Sequence, residues 1–184
     1  MRCFSRWIRH EEHIAFPRST ITALWHRIID IIQVLEEKGW LGDRFYLAHG
    51  DLFPRNILVE VIDDAAVRIT GIIDWDMACF APRFLAFRSP FWAWNGIKFD
   101  ESYEDGANTG TYDMEGKAIK DAFLNTASPE YATMGLAEEA IAARKLFRIV
   151  THGLLTDKQQ ELAKQLIAQW DKLHPELSKH FVSL

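Results

Sequence analysis

Three patterns in the 184 residues predict an α+β domain, mainly helical, with one small β-hairpin. Apolar residues recur at helical spacing before residue 39 and again after residue 114. Two β-branched runs stand side by side between residues 57 and 73, and cap and stop residues bound the helical stretches.

Ser19 and Thr20 can cap a first helix, with Ile21, Leu24, Trp25, Ile28, Ile32 and Leu35 on its apolar face and Gly39 as its stop. A short run at 45–48 follows, then a polar loop at 49–55. Residues 57–62 and 67–73 predict the hairpin, with Asp63 and Asp64 in the turn; its register is left open. From 74 to 110 there is little periodicity but many aromatics, read as core packing, with a partner surface as the alternative. Glu101, Glu104 and Asp105 read as a solvated acidic loop, the alternative being attraction of a cationic substrate. A helix is expected at about 114–125. Ser128 and Pro129 start another that runs to about 151 and stops at Gly153. Thr156 and Gln159 form a capping box for a last helix reaching about residue 173.

Hydrophobic residues make up 48% of the chain, with seven tryptophans, which supports a real core and excludes general disorder. A net charge of -5 excludes a nucleic-acid binder that works by backbone attraction. No segment approaches the roughly 20 apolar residues of a membrane span. The greasiest region, 80–94, is broken by Pro82, Arg83, Arg88 and Pro90. Residues 1–18, with Arg2, Arg6 and Arg9 among Phe4, Trp7 and Ile8, lack the apolar run of a secretory signal and read as an arm. Residues 19–184 form the domain. Cys3 and Cys79 have no metal-type spacing, and so few cysteines predict a reducing, cytoplasmic setting. His10 and His13 flank Glu11-Glu12 but stand three apart instead of four, which excludes the zinc-protease pattern.

The chemistry concentrates in His49-Gly50-Asp51-Leu52-Phe53-Pro54-Arg55-Asn56, just before the first hairpin strand, and in Asp74-Trp75-Asp76, just after the second. A hairpin brings the start of one strand close to the end of the other, so Asn56 and Asp74 converge with Asp51 nearby. Mg²⁺ takes hard oxygen ligands, often one or two protein groups plus substrate phosphates. Asn56 and Asp74 suit that task, and Asp51 suits orientation of an incoming hydroxyl and acceptance of its proton.

The spacing of His49, Asp51 and Asn56 before a hydrophobic strand resembles the catalytic loop of protein-kinase-like enzymes. The His-Gly-Asp form, with Pro54 and then Asn-Ile-Leu-Val, is similar to the aminoglycoside phosphotransferase-like group. Ile73-Asp74-Trp75-Asp76 resembles that group's Ile-Asp-Trp-Glu metal motif. Residues 78–82 are similar to its Ala-Gly-Phe-Gly-Pro stretch, with Cys79 and Ala81 where glycines are common. The resemblance covers about 21–173, and the Arg55-Asn56 pair is similar to the fungal branch. It implies Asp51 as catalytic residue with His49 supporting the loop, Asn56 and Asp74 holding nucleotide and metal, and Asp76 completing the metal motif. It implies ATP and Mg²⁺ as co-substrate and cofactor and a small-molecule hydroxyl as acceptor.

Only 48 residues precede His49, no Gly-rich loop occurs among them, and a five-stranded nucleotide-clamping lobe needs about 60. The expectation is therefore a kinase-like C-terminal lobe alone, its N-terminal lobe absent and the chain truncated. The missing nucleotide surface would come from a partner chain, or the protein would be a catalytically inactive binding or structural relative.

Overall fold

The computed structural model describes residues 20–64, 66–95, 104, 110–111 and 113–178. The arm, Cys3, the His10–His13 motif, Glu101 and Asp105 lie outside the described residues. In chain order the elements are α1 (Thr20–Glu37), β1 (Phe45–Ala48), β2 (Ile57–Asp63), β3 (Ala66–Ile72), β4 (Cys79–Pro82) and α2 (Arg83–Ala86). Then come α3 (Met114–Thr126), α4 (Pro129–Leu136), α5 (Glu138–His152), α6 (Asp157–Leu173) and α7 (Pro175–Ser178). Single 3-10 turns occupy Pro54–Asn56, Trp75–Met77 and Phe91–Ala93. The chain divides into two compact units, residues 1–38 with 142–184, and residues 39–141.

In the first unit, Trp25, Ile28 and Leu35 of α1 are buried as the helical spacing predicts, but Ile31 is buried where Ile32 was expected, and Ile32 is half-buried. The helix packs on α6, which buries Ala163, Leu166 and Trp170. Each large side chain removed from water contributes roughly 1.5–3 kcal/mol. Arg27 of α1 pairs with Asp171 of α6 beside that apolar seam. The predicted capping box is present. Thr156 Oγ1 accepts from the Gln159 amide at 3.2 Å, and Gln159 Oε1 accepts from the Thr156 amide at 2.9 Å.

In the second unit, β2 and β3 form the predicted antiparallel hairpin, pairing Ile57 with Ile72 and Val61 with Val67. Irregularities at Leu58/Val59 and Val61/Asp63 interrupt the ladder, so simple alternation in the sequence could not reveal its register. In the aromatic segment Phe84, Phe91 and Trp94 are buried and Phe87 and Trp92 half-buried, but Trp75 and Phe80 are exposed, so the core reading holds in part. Phe99 lies outside the described residues. Phe123 and Leu136 pack against Phe91 and Trp94. Rings run in contact from Tyr46 to Phe87 at 4.6 Å, Phe87 to Tyr131 at 5.2 Å, Tyr131 to Phe123 at 5.7 Å and Phe123 to Trp94 at 5.3 Å. Glu104 departs from the solvated-loop expectation. It is buried, and its carboxylate lies 3.4 Å from Nε of Arg88, since a carboxylate leaves water only against a compensating charge.

Two expectations are corrected. The fold is not a mainly helical lobe with one hairpin. The chain has a strand-bearing region, with a second antiparallel pair, β1 with β4, as well as helical regions. Phe45 pairs with Pro82 and Ala48 with Cys79, two four-residue strands far apart in sequence and too short to show a period. The helix expected from 129 to 151 is two helices, because Ala137 takes an extended conformation with ψ 138°. Gly135, just before the break, approaches Ser89 so closely that a Cβ would stand 3.1 Å from its side chain.

Candidate active site

β1 delivers His49 to the start of the polar loop, where its side chain is buried. His49 Nε2 lies 2.9 Å from the carbonyl of Ile73, which can only accept, so this nitrogen carries the proton and donates. Nδ1 is then the acceptor facing the backbone N–H of Asp51 at 3.4 Å. The ring also lies 4.6 Å from that of Trp75, whose Nε1–H donates to the Ile72 carbonyl at 2.8 Å. Nε2 thus ties the loop to the end of β3, while Nδ1 holds the loop's own backbone at Asp51. This is bracing chemistry.

Gly50 is the next constraint. Its φ is +78°, and a Cβ there would meet the Met77 carbonyl oxygen at 2.3 Å. No side chain fits here, a physical reason for the glycine of the His-Gly-Asp form.

Asn56 is buried at the end of the Pro54–Asn56 turn. Its Nδ2 donates to the Asp51 carbonyl at 2.8 Å and to Asp51 Oδ2 at 3.1 Å. Both partners are acceptors, so the amide nitrogen must face them and Oδ1 is turned to the other side. The Asn56 carbonyl accepts from the Ile73 amide at 3.0 Å, which extends the hairpin ladder by one step. Asp74 follows immediately. It is exposed and has φ 64° and ψ 59°, and among the described residues no other non-glycine has positive φ. Such a conformation costs an acidic residue on the order of 1 kcal/mol and is kept where surrounding contacts impose it. Asp76 is exposed in the Trp75–Met77 turn, with no side-chain hydrogen bond recorded among the described residues.

The loop thus brings Asp51, Asn56 and His49 into direct hydrogen-bonded reach, and the ladder sets Asp74 beside them. Asp76 is not drawn into that network. Two residues beyond the predicted set belong to it. Arg55 NH2 donates to both carboxylate oxygens of Asp51, at 2.7 Å each. Trp92 Nε1–H donates to the Leu52 carbonyl at 3.1 Å. The four-residue spacing of Asp51 and Arg55 is the sequence signal for the first contact. Nothing local signals the second.

A comparison with known families decides the identity. Residues 4–116 match the family model described as phosphotransferase enzyme family (APH), well over half of the chain. The chain belongs to the phosphotransferase enzyme family. No curated protein and no solved structure matches significantly. The match corrects the expectation of a C-terminal lobe alone. It begins at residue 4 and runs through α1 and the strands into α3, so it takes in both strand-bearing and helical regions. The length estimate behind a missing lobe assumed element sizes that this chain need not follow.

For a phosphotransferase the fit to Mg²⁺ can be tested on the donor set. Among the described residues, no three His, Cys, Asp or Glu side chains gather into a preformed cage. Mg²⁺ seldom needs one, because it keeps water and phosphate ligands. The turned Oδ1 of Asn56 and the exposed carboxylate of Asp74 are hard oxygen donors of the right kind, so the residues fit. A separate cavity of about 230 Å³, lined by Asp43, Arg44, Tyr46, Arg83 and Glu130, contains none of the predicted site residues. No described helix is long and apolar enough to cross a membrane.

Proposed function

We infer that this member of the phosphotransferase enzyme family moves the γ-phosphoryl group of ATP to a hydroxyl of a small molecule. The observation that carries the reading is the Asp51–Asn56–Ile73 link: one side chain and one backbone pair join the predicted base, the predicted metal ligand and the residue before Asp74. Asn56 and Asp74 would hold Mg²⁺, with Asp76 the nearest further acid in sequence. When bound, the ion supplies charge neutralisation at the phosphate oxygens.

The remaining work falls to the chain. Asp51 orients the acceptor hydroxyl through a carboxylate oxygen and takes its proton as the new O–P bond forms. The bond from the γ-phosphorus to the β,γ-bridging oxygen breaks, and ADP leaves with that electron pair. His49 keeps the loop in register and moves no proton, since both its nitrogens serve backbone groups. A reducing, cytoplasmic setting belongs to this reading, in keeping with the free, exposed thiol of Cys79.

Calorimetric titration with Mg²⁺–ATP tests it. Binding by the wild-type chain that disappears in Asp74→Ala is the expected result. A folded wild-type chain that gives no heat sinks the reading and favours a non-catalytic binding or structural role.

A further inference from the structure

Arg55 stands out because of where it rests. Among the described residues it is the one cationic side chain recorded in a hydrogen bond to any of His49, Asp51, Asn56, Asp74 or Asp76. Its guanidinium lies 5.0 Å from the centroid of the Phe53 ring, and Phe53 in turn lies 6.3 Å from Trp92. The cation thus has an aromatic platform on one side and a carboxylate on the other. Yet its side chain is 57% exposed, against 23% for Asp51. More than half of it thus stays open to solvent and to an arriving anion.

The lone pairs of Asp51 show the consequence. A carboxylate offers about four acceptor sites. Oδ2 accepts from Arg55 and Asn56, and Oδ1 accepts from Arg55. An incoming hydroxyl is left with one lone pair beside a guanidinium that competes for it. A triphosphate offers that guanidinium several oxygens of higher charge in the geometry it suits best.

We propose that Arg55 is an exchangeable partner of Asp51. It holds the carboxylate while the site lacks anion and transfers to the phosphate chain of the arriving nucleotide, releasing Asp51 for the acceptor hydroxyl. Arg55 is then a phosphate-binding residue gated by the base. This rests on the phosphotransferase reading and adds an order of events to it.

The test is a thermodynamic cycle on the 184-residue chain, with inorganic tripolyphosphate as probe. The variants are Asp51→Asn, Arg55→Met and the double substitution. Because Asp51 and the anion compete for Arg55, Asp51→Asn tightens tripolyphosphate binding by about fivefold, the scale of a partly exposed ion pair. In the Arg55→Met background the same change has an effect of less than about twofold. A merely structural pair gives the opposite sign, since losing Asp51 then loosens the loop and weakens binding. Equal tightening in both backgrounds overturns the proposal, because simple charge repulsion by Asp51 accounts for it. Mg²⁺–ATP titration with Asp74→Ala separates the two levels. Metal-dependent ATP binding without coupling between Asp51 and Arg55 overturns the exchange and leaves the phosphotransferase reading standing. A folded wild-type chain that binds neither probe overturns both.

Discussion

At the scale of single residues, the loop is organised around acceptors that need donors. Asp51 presents a carbonyl and a carboxylate to Asn56, and only an amide nitrogen answers both. Asn56→Asp keeps the shape but replaces that donor by a buried negative charge facing two acceptors. The expected loss is about 2–4 kcal/mol of unfolding free energy at neutral pH, read from urea denaturation. The penalty falls on the charged form, so the folded state holds the introduced carboxyl's pKa above its unfolded value. The loss is therefore largest at pH values above the folded pKa and shrinks as the pH is lowered towards the unfolded one, where a protonated carboxyl regains a donor. A penalty that stays constant between pH 7 and pH 4 would show that lost packing, not charge, is the cause. The candidacy of His49, Asp51, Asn56 and Asp74 is read from their spacing and from the motif resemblance it carries. The left-handed backbone of Asp74 and the close approach of Gly50 to Met77 are not legible there, because both depend on a segment more than twenty residues away.

At the scale of elements, local chemistry was read well wherever it was complete in a few residues. The expected caps of α4 and α6 each use a side chain three residues before the amide that donates to it, Ser128 for Tyr131 and Thr156 for Gln159, and Asp113 caps α3 in the same way without having been expected. Thr156→Ala removes one side of a reciprocal box and is expected to cost about 1 kcal/mol, measured by the shift in denaturation midpoint at unchanged slope. Thr156→Ser should recover most of it; failure to do so would mean that the methyl group, not the hydroxyl, matters. The pairing of β1 with β4 escaped the sequence because neither four-residue strand shows a period and the two lie far apart along the chain. The break between α4 and α5 escaped it for a similar reason: Ala137 is a good helix former by itself, and the backbone there follows the contacts of its neighbours.

At the scale of the whole chain, exposed apolar side chains concentrate on the strands. Val61 is 71% exposed, and its cross-strand neighbour Val67 is 65% exposed, on a two-stranded sheet. Such a surface favours association through strand edges and apolar faces. Sedimentation is expected to show apparent mass rising with protein concentration, and Val61→Lys to reduce that rise; concentration-independent mass for the wild-type chain would refute it. The sequence by itself determined the family resemblance, the hairpin, most of the helix segments and the candidate catalytic residues. Each of these is written in short-range spacing, whose physics is local: helical period, β-branching, capping, and the oxygen chemistry of a loop. Only the tertiary structure decided that the fold has a second strand pair, that Glu104 is buried against Arg88, that His49 braces the loop through both nitrogens, and that Arg55 occupies the carboxylate of Asp51. Most of these contacts join segments distant in sequence. Arg55 and Asp51 are only four residues apart, yet the turn between them and the platform beneath the guanidinium exist only once the chain has folded.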